Sequence, residues 1–365
     1  MSRRQEPRPF ARRVLDGAVH EAAYLGLRGV TTVIGALGPA TAARSARALG
    51  RAYALSRINR TRLKRAEEHV RYAFPDWSHD RAHDCAVASF EHLARLGADM
   101  AMIPRLLTAD GWTRFVSTGR VASAVRALIQ GRPCVLITGH CGNFEVLGYT
   151  VALLGFPMHA LYRPLDSKPL DAYVRRTRSA RGLMLVDKFG AVQRLPGLIR
   201  AGAPIGFVAD QNGGDRGVCV PFLGRLTSTY KSIGLLAMQF DASVVCGFAK
   251  RTADNREGFS YEMAITDVFG SAQWSTHPDP LFYLTARYRW AIEQMVRDVP
   301  EQYFWMHRIW RSRPRHERLD RPFPPALREK IELLPWISAD GLQRVVEQSA
   351  RDAATLKRTG QTKLN

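Results

Sequence analysis

The stretch Pro133-Cys134-Val135-Leu136-Ile137-Thr138-Gly139-His140-Cys141-Gly142-Asn143-Phe144-Glu145 decides how this chain is read. Its first six residues form an apolar run with the length and β-branched content of a buried strand. From Phe144 to Leu154 the pattern becomes amphipathic and helical. Between strand and helix, Gly139 and Gly142 flank His140, and Glu145 follows five positions after the histidine. Five residues advance a helix by about 500°, so on an unbroken helix His140 and Glu145 point roughly 140° apart. They meet only if His140 sits on the loop and Glu145 lies in the first helical turn, a geometry the two glycines permit. An imidazole at a strand end with a carboxylate against it suits a general base, because the carboxylate sets the tautomer and stabilises the imidazolium. For His140 alone, a buried histidine bonded to backbone is the better account. The whole Gly-His-x-x-x-x-Glu order, placed directly after a buried strand, favours catalysis.

Outward from this stretch, after Ala109-Asp110-Gly111, short apolar runs alternate with helical segments. Strands are predicted near Cys134–Thr138, Met158–Tyr162, Leu183–Val186, Ile205–Ala209 and Val244–Ala249. Helices are predicted near Val121–Gln130, Phe144–Leu154, Leu170–Arg181, Val192–Ala201 and Ser228–Phe240, with a further one at Pro280–Val299. That alternation argues an α/β fold, a mixed and largely parallel sheet flanked by helices. Upstream, about Thr41 to Leu106 reads as a helical region, broken at Pro75 and restarted at Ser78. The tail from Arg311 is rich in Pro and Arg, then helical from Ser338. The chain thus divides into a basic arm and membrane-interface helix (1–37), a helical region (38–110), an α/β core (111–315) and a partly helical C-terminal extension (316–365). Ligands of such sheets gather at the C-terminal ends of the strands, where His140, Arg163 and Asp210 all fall.

Composition narrows the partners. Lys+Arg number 53 against 33 Asp+Glu, a net charge of +20. Such a field favours nucleic acid, anionic lipid or acidic proteins. Zinc-finger spacing, an RNP-type aromatic motif and an unbroken basic block are absent, which counts against nucleic acid. Met1 to Arg13 carries five arginines against one glutamate. Val14 to Leu37 is helical and largely apolar, but Asp16, His20, Glu21 and Arg28 interrupt it. Those charges disfavour a spanning helix and fit one lying in the membrane interface, its basic arm on anionic headgroups. A plain core helix with a basic tail is the competing account. The five cysteines are scattered and odd in number, as expected of reduced thiols rather than a disulfide framework. His79 and His83 have i,i+4 metal-ligand spacing, but a solvated first helical turn capped by Ser78 explains them better; no metal or cofactor is expected.

Two further strand ends carry chemistry. Tyr162-Arg163-Pro164-Leu165-Asp166 is followed on the next helix by Arg175, Arg176 and Arg178, whose forks suit phosphate or carboxylate; a solvated basic face is the alternative. Ala209-Asp210-Gln211-Asn212-Gly213-Gly214 allows close backbone approach to a ligand, or makes a structural Asx turn. Nucleotide-binding glycine motifs and a Gly-x-Ser-x-Gly elbow are absent.

Gly139-His140-x-x-x-x-Glu145, Tyr162-Arg163-Pro164-Leu165-Asp166, Asp210-Gln211, Val220-Pro221-Phe222-Leu223-Gly224-Arg225 and Pro300-Glu301-Gln302-Tyr303-Phe304-Trp305 run in the order of the lipid A biosynthesis (lauroyl/myristoyl) acyltransferases. The chain resembles that family, which includes phosphatidylinositol mannoside acyltransferases, from the N-terminal helix to about Arg315. The resemblance implies a glycerolphosphate acyltransferase-like fold and an enzyme at the cytoplasmic face of the inner (plasma) membrane. Its acyl donor would be acyl carrier protein or coenzyme A thioester, and its acceptor a hydroxyl of a membrane glycolipid, a lipid A precursor before a mannosylated phosphatidylinositol. By position, His140 is the implied general base and Glu145 its partner, with Asn143, Arg163, Arg178, Asp210 and Gln211 on the substrate side. Backbone N–H groups of the Cys141–Asn143 turn, or an arginine, are expected to hold the oxyanion. Cys141 and Phe144 depart mildly from the family's commoner residues, and the extension beyond Arg315 is longer than expected. A lipid-binding protein without turnover is the alternative from another class, and retention of both His140 and Glu145 argues against it.

Overall fold

The computed structural model describes residues 10–180, 182–252 and 258–364; of the Arg-rich arm, residues 1–9 and the side chains through residue 13 lie outside that description. Four helices come first: α1 (Phe10–Ala36), α2 (Pro39–Leu55), α3 (Arg60–Ala73) and α4 (His79–Leu106). The breaks follow local chemistry. Pro39 opens α2, and the Ser78 hydroxyl caps α4 by accepting from the Arg81 N–H at 3.2 Å. No helix among the described residues is long and apolar enough to cross a membrane.

The α/β part follows as β1 (Val116–Thr118), α5 (Ala122–Ile129), β2 (Cys134–Thr138), α6 (Phe144–Leu153), β3 (His159–Tyr162), α7 (Lys168–Ser179), β4 (Met184–Asp187), α8 (Ala191–Arg200) and β5 (Ile205–Val208). Then come the hairpin β6 (Val218–Phe222) and β7 (Arg225–Thr229), α9 (Lys231–Gln239), β8 (Ser243–Arg251), β9 (Tyr261–Phe269), the short α10 (Ser271–Trp274) and α11 (Pro280–Asp298). The tail adds α12 (Arg315–Arg318), α13 (Pro325–Glu332) and α14 (Ala339–Thr359). Seven strands make one sheet in the order β1-β9-β8-β2-β5-β3-β4. Its five strands from β8 to β4 are parallel, and β9 joins β8 antiparallel with β1 parallel to β9. The fold is therefore the expected α/β, mixed and largely parallel, with a helical N-terminal region. Each predicted strand is present within two residues at either end.

One feature differs from the sequence reading, and one lay beyond it. Ser228 and Thr229, expected to begin a helix, instead finish β7 and pair with Cys219 and Val218. Their β-branched neighbours favour a strand, and Pro221 is tolerated because the hairpin is two-stranded. The C-terminal extension is not peripheral: Ile331, Leu334, Leu342 and Val345 share a core cluster with Val135, Ile137 and Ile205 of the central strands. It is also pinned by charge. Arg225 of β7 donates to both oxygens of Asp352 in α14 at 2.7 and 2.6 Å, and buried Arg313 pairs with Glu317 at 2.6 Å.

Candidate active site

Strands β2, β5 and β3 are neighbours, so residues leaving their C-terminal ends converge. His140 leaves β2, Asp210 leaves β5 and Arg163 leaves β3. The His140 turn is folded by steric necessity. Gly142 has φ +62°, and a Cβ there would lie 2.2 Å from the Ala249 carbonyl oxygen. Buried His92 of α4 holds the same glycine through a 3.0 Å bond between its Nε2 and the Gly142 carbonyl. The far side is closed by the segment after α11, where the Phe304 N–H donates to the His140 carbonyl at 3.0 Å.

The carboxylate against His140 is Asp210, not Glu145. Asp210, only 2% exposed, takes His140 Nδ1 at 2.6 Å and the His140 backbone N–H at 3.0 Å, one on each oxygen. Burial works to raise the Asp210 carboxyl, but the His140 charge and hydrogen bonds, with Arg289 behind, outweigh it and hold the group below the usual carboxylate range. Arg289 is itself buried and donates to the Ala209 carbonyl at 3.1 Å. With the carboxylate on Nδ1, that nitrogen carries the proton and Nε2 presents its lone pair to the pocket.

Glu145 lies in the first turn of α6, as expected, but faces elsewhere. Both its oxygens are taken by Arg178 of α7, the Nε at 3.1 Å and the terminal nitrogen in a second, shorter bond. Burial pushes the Glu145 carboxyl up against the opposing pull of Arg178. The helix itself sets this direction: the Asn143 side chain caps α6, fixing its first turn so that Glu145 aims at α7. Asn143, expected on the substrate side, is occupied by structural bonds. It is fully buried, accepts from the N–H groups of Glu145 and Val146 at 3.1 Å each, and donates to the Tyr261 hydroxyl at 3.0 Å. The turn's N–H groups are also consumed, Gly142 by the Gln302 carbonyl at 3.1 Å and Asn143 by the Ala249 carbonyl at 2.8 Å, so those two cannot form an oxyanion hole.

Gln211 does reach the centre. Its amide nitrogen lies 3.4 Å from His140 Nε2 and 3.3 Å from His307 Nε2. His307 sits in the motif after α11, its ring 5.2 Å from that of His140. Burial, then the His140 charge, lower its pKa to about 4 and keep it neutral. Sequence reasoning missed His307 as a site residue; its only signal was proximity to the Pro300–Trp305 motif. Arg163 is exposed and carries no ion pair among the described residues. Arg175 lies 5.8 Å over the Tyr162 ring, beside Arg178 at 5.5 Å. In α4, Ser78 caps the helix and His83 bonds Glu67 at 2.7 Å.

Two apolar hollows lie on either side of Phe144, next to His140. The larger, between the sheet face and helices α5 and α6, is a cavity of about 130 Å³. Its wall includes Thr138 and Phe144, on either side of the His140 turn, and continues through Leu128, Leu136, Leu147 and Met158. The smaller is lined by Leu93, Leu96, His140, Phe144, Tyr303 and Phe304. Phe144 belongs to both, with its ring 5.5 Å from that of His140. An imidazole set in apolar walls of this kind suits chemistry on lipophilic reactants.

Comparison with known proteins agrees. Residues 15–312 match the profile of the family described as bacterial lipid A biosynthesis acyltransferase. A lipid A biosynthesis acyltransferase of Haemophilus influenzae is 22% identical over 258 residues, 70% of this chain and 77% of that protein. A lipid A biosynthesis palmitoleoyltransferase of Escherichia coli is 25% identical over 191 residues, 52% of this chain and 59% of that protein. On the span of the family match, the chain belongs to the bacterial lipid A biosynthesis acyltransferase family and is an acyltransferase.

Proposed function

We propose that this enzyme moves a fatty acyl chain from a thioester, carried by acyl carrier protein or coenzyme A, to a hydroxyl of a membrane glycolipid, a lipid A precursor, at the cytoplasmic face of the inner membrane. The observation that carries the reading is His140: its Nδ1 is held by buried Asp210, and its ring lines an apolar hollow beside Phe144. His140 Nε2 takes the proton of the acceptor hydroxyl as that oxygen attacks the thioester carbonyl carbon. The C–S bond then breaks, and the departing thiolate takes the proton back from the imidazolium. Asp210 stabilises that transient cation and stays ionised throughout. Among the residues around Nε2, the Gln211 amide is the donor best placed for the carbonyl oxygen as it gains charge.

The larger hollow is the seat for the donor's chain, since its wall is mostly hydrocarbon, with Thr118, Thr138, Glu145 and Arg178 its polar members. Arg163, exposed at the neighbouring strand end, is placed for an anionic headgroup. In α1, Val19, Leu25, Val30 and Val33 are more than half exposed, as a helix lying in the interface requires.

The test is acyl transfer by the purified protein, followed by mass spectrometry of a lipid A precursor offered with acyl carrier protein thioester or acyl coenzyme A. The expected product is heavier by one acyl residue and absent with His140→Ala. Unchanged acceptor with every donor, from folded wild type, would contradict the reading.

A further inference from the structure

The corner between α2 and α3 combines two properties that rarely share a surface. From Pro39 to Ala66 the chain carries eight basic residues (Arg44, Arg47, Arg51, Arg57, Arg60, Arg62, Lys64 and Arg65) and no acidic one. Within the same stretch Ile58 is 89% exposed, Leu49 69% and Leu55 52%. The helix packing explains why these apolar side chains face outward. Ala46, Gly50 and Ala54 fill the inner face of α2, and Gly50 lies so close to α4 that a Cβ would come within 2.7 Å of the Phe90 carbonyl. That leaves Leu49 and Tyr53 outward, with Leu55 and Ile58 at the turn. Arg47 and Arg51 are drawn to Glu91 at 2.8 and 3.1 Å, whereas Arg57, Arg60 and Lys64 have no ion pair among the described residues.

We propose that this corner is a second membrane contact, separate from α1. Leu55 and Ile58 enter the headgroup layer of an anionic bilayer, and Arg57, Arg60 and Lys64 meet its phosphates. Aliphatic side chains projecting beyond a ring of free cations match a bilayer, with charge outside and hydrocarbon within. A single-stranded nucleic acid would call for a series of aromatic stacking platforms, whereas here Tyr53 is a lone ring whose hydroxyl is taken by Arg62 at 2.9 Å. The position also serves the site. Helix α4, on which α2 packs, supplies Leu93 and Leu96 to the hollow beside His140, so a corner seated on lipid brings that hollow close to the bilayer. The inference rests on the proposed bilayer-bound enzyme and specifies where it touches.

The test uses the full chain with Cys219→Ser and Ile58→Cys, labelled at position 58 with an environment-sensitive fluorophore; the remaining cysteines are buried. Phosphatidylcholine vesicles are compared with vesicles that also contain phosphatidylglycerol, and sedimentation reports binding in the same samples. The expected result is a blue-shifted, several-fold brighter signal with phosphatidylglycerol only, lost when Arg57, Arg60 and Lys64 are changed to Gln. In the unlabelled protein, Ile58→Glu weakens vesicle partitioning about tenfold with an unchanged Tm. A silent label on sedimented protein overturns the inference and leaves the bilayer reading intact. Failure to sediment with any vesicle overturns both. A response to a single-stranded RNA oligonucleotide but not to vesicles makes the corner a nucleic-acid surface and overturns the inference.

Discussion

Two buried carboxylates flank the strand ends, and their surroundings give them opposite work. Asp210 meets an imidazole, accepts from its ring and its backbone, and is held ionised below the usual range. Glu145 meets a guanidinium that engages both its oxygens, while burial pushes its carboxyl up. The first arrangement leaves a basic lone pair facing the pocket. The second consumes its partner and closes the wall of the apolar hollow. Proximity in sequence therefore misassigns the pair: five residues separate His140 from Glu145, but the adjacency of β2 and β5 brings Asp210, seventy residues away, onto the ring.

The two regions are expected to respond differently to mutation. His140→Ala removes the proposed base and lowers kcat on the order of 10⁴-fold in the transfer assay. Asp210→Asn keeps the shape but loses the charge that fixes the tautomer, lowering kcat about 10³-fold with little change in KM. Glu145→Gln acts mainly on stability, because it strands the Arg178 charge in a largely apolar wall, at about 3 kcal/mol by denaturant unfolding. The double variant Glu145→Gln/Arg178→Met recovers most of that loss. A double variant no more stable than the single one would mean that the pair does more than neutralise itself.

Acid sharpens the contrast further. Burial lowers His92, which holds Gly142, from 6.5 to about 4, and lowers His69 to about 3. The unfolded chain takes up these protons near pH 6.5, whereas the folded chain does not until pH 4 or below. Their contribution to stability is therefore complete above pH 6.5 and is lost as pH falls toward 4. Asp210, depressed below its ordinary 3.8, adds its own loss only at lower pH. The Tm should fall measurably between pH 6.5 and 4, and His92→Gln should flatten that slope. The smallest effect lies in the hollow. Met158 occupies the space beside Gly148 and Gly206, where an added Cβ would approach its side chain to 2.9 and 3.0 Å. Met158→Ala should shift donor preference toward longer chains by about tenfold, and Gly148→Ala toward shorter ones, both read from product masses.

Much of the architecture was legible because it is locally encoded. Buried parallel strands read as apolar runs, and the alternation with helices gave the layer order. The hairpin Val218–Thr229 was not, because Ser228 and Thr229, which end its second strand, are also residues favoured at a helix N-cap. At the site, His140, Asp210 and Gln211 were identifiable as residues at strand ends, while their pairing was not. Strand order is a tertiary property, and no local spacing reports that β5 lies beside β2. Asn143 stood out in the sequence for its place in the turn, yet its role is to cap α6. His307 had no cue beyond its nearness to the Pro300–Trp305 motif, because only the closing segment after α11 carries it to His140.

The most direct test of the central claim is the NMR signature of the His140 ring in ¹⁵N-histidine-labelled protein, assigned by its loss in a His140 variant. The account expects a downfield Nδ1–H signal in the wild type, retained in Glu145→Gln and lost in Asp210→Asn. A signal that survives Asp210→Asn and disappears in Glu145→Gln would contradict it and return Glu145 to the histidine.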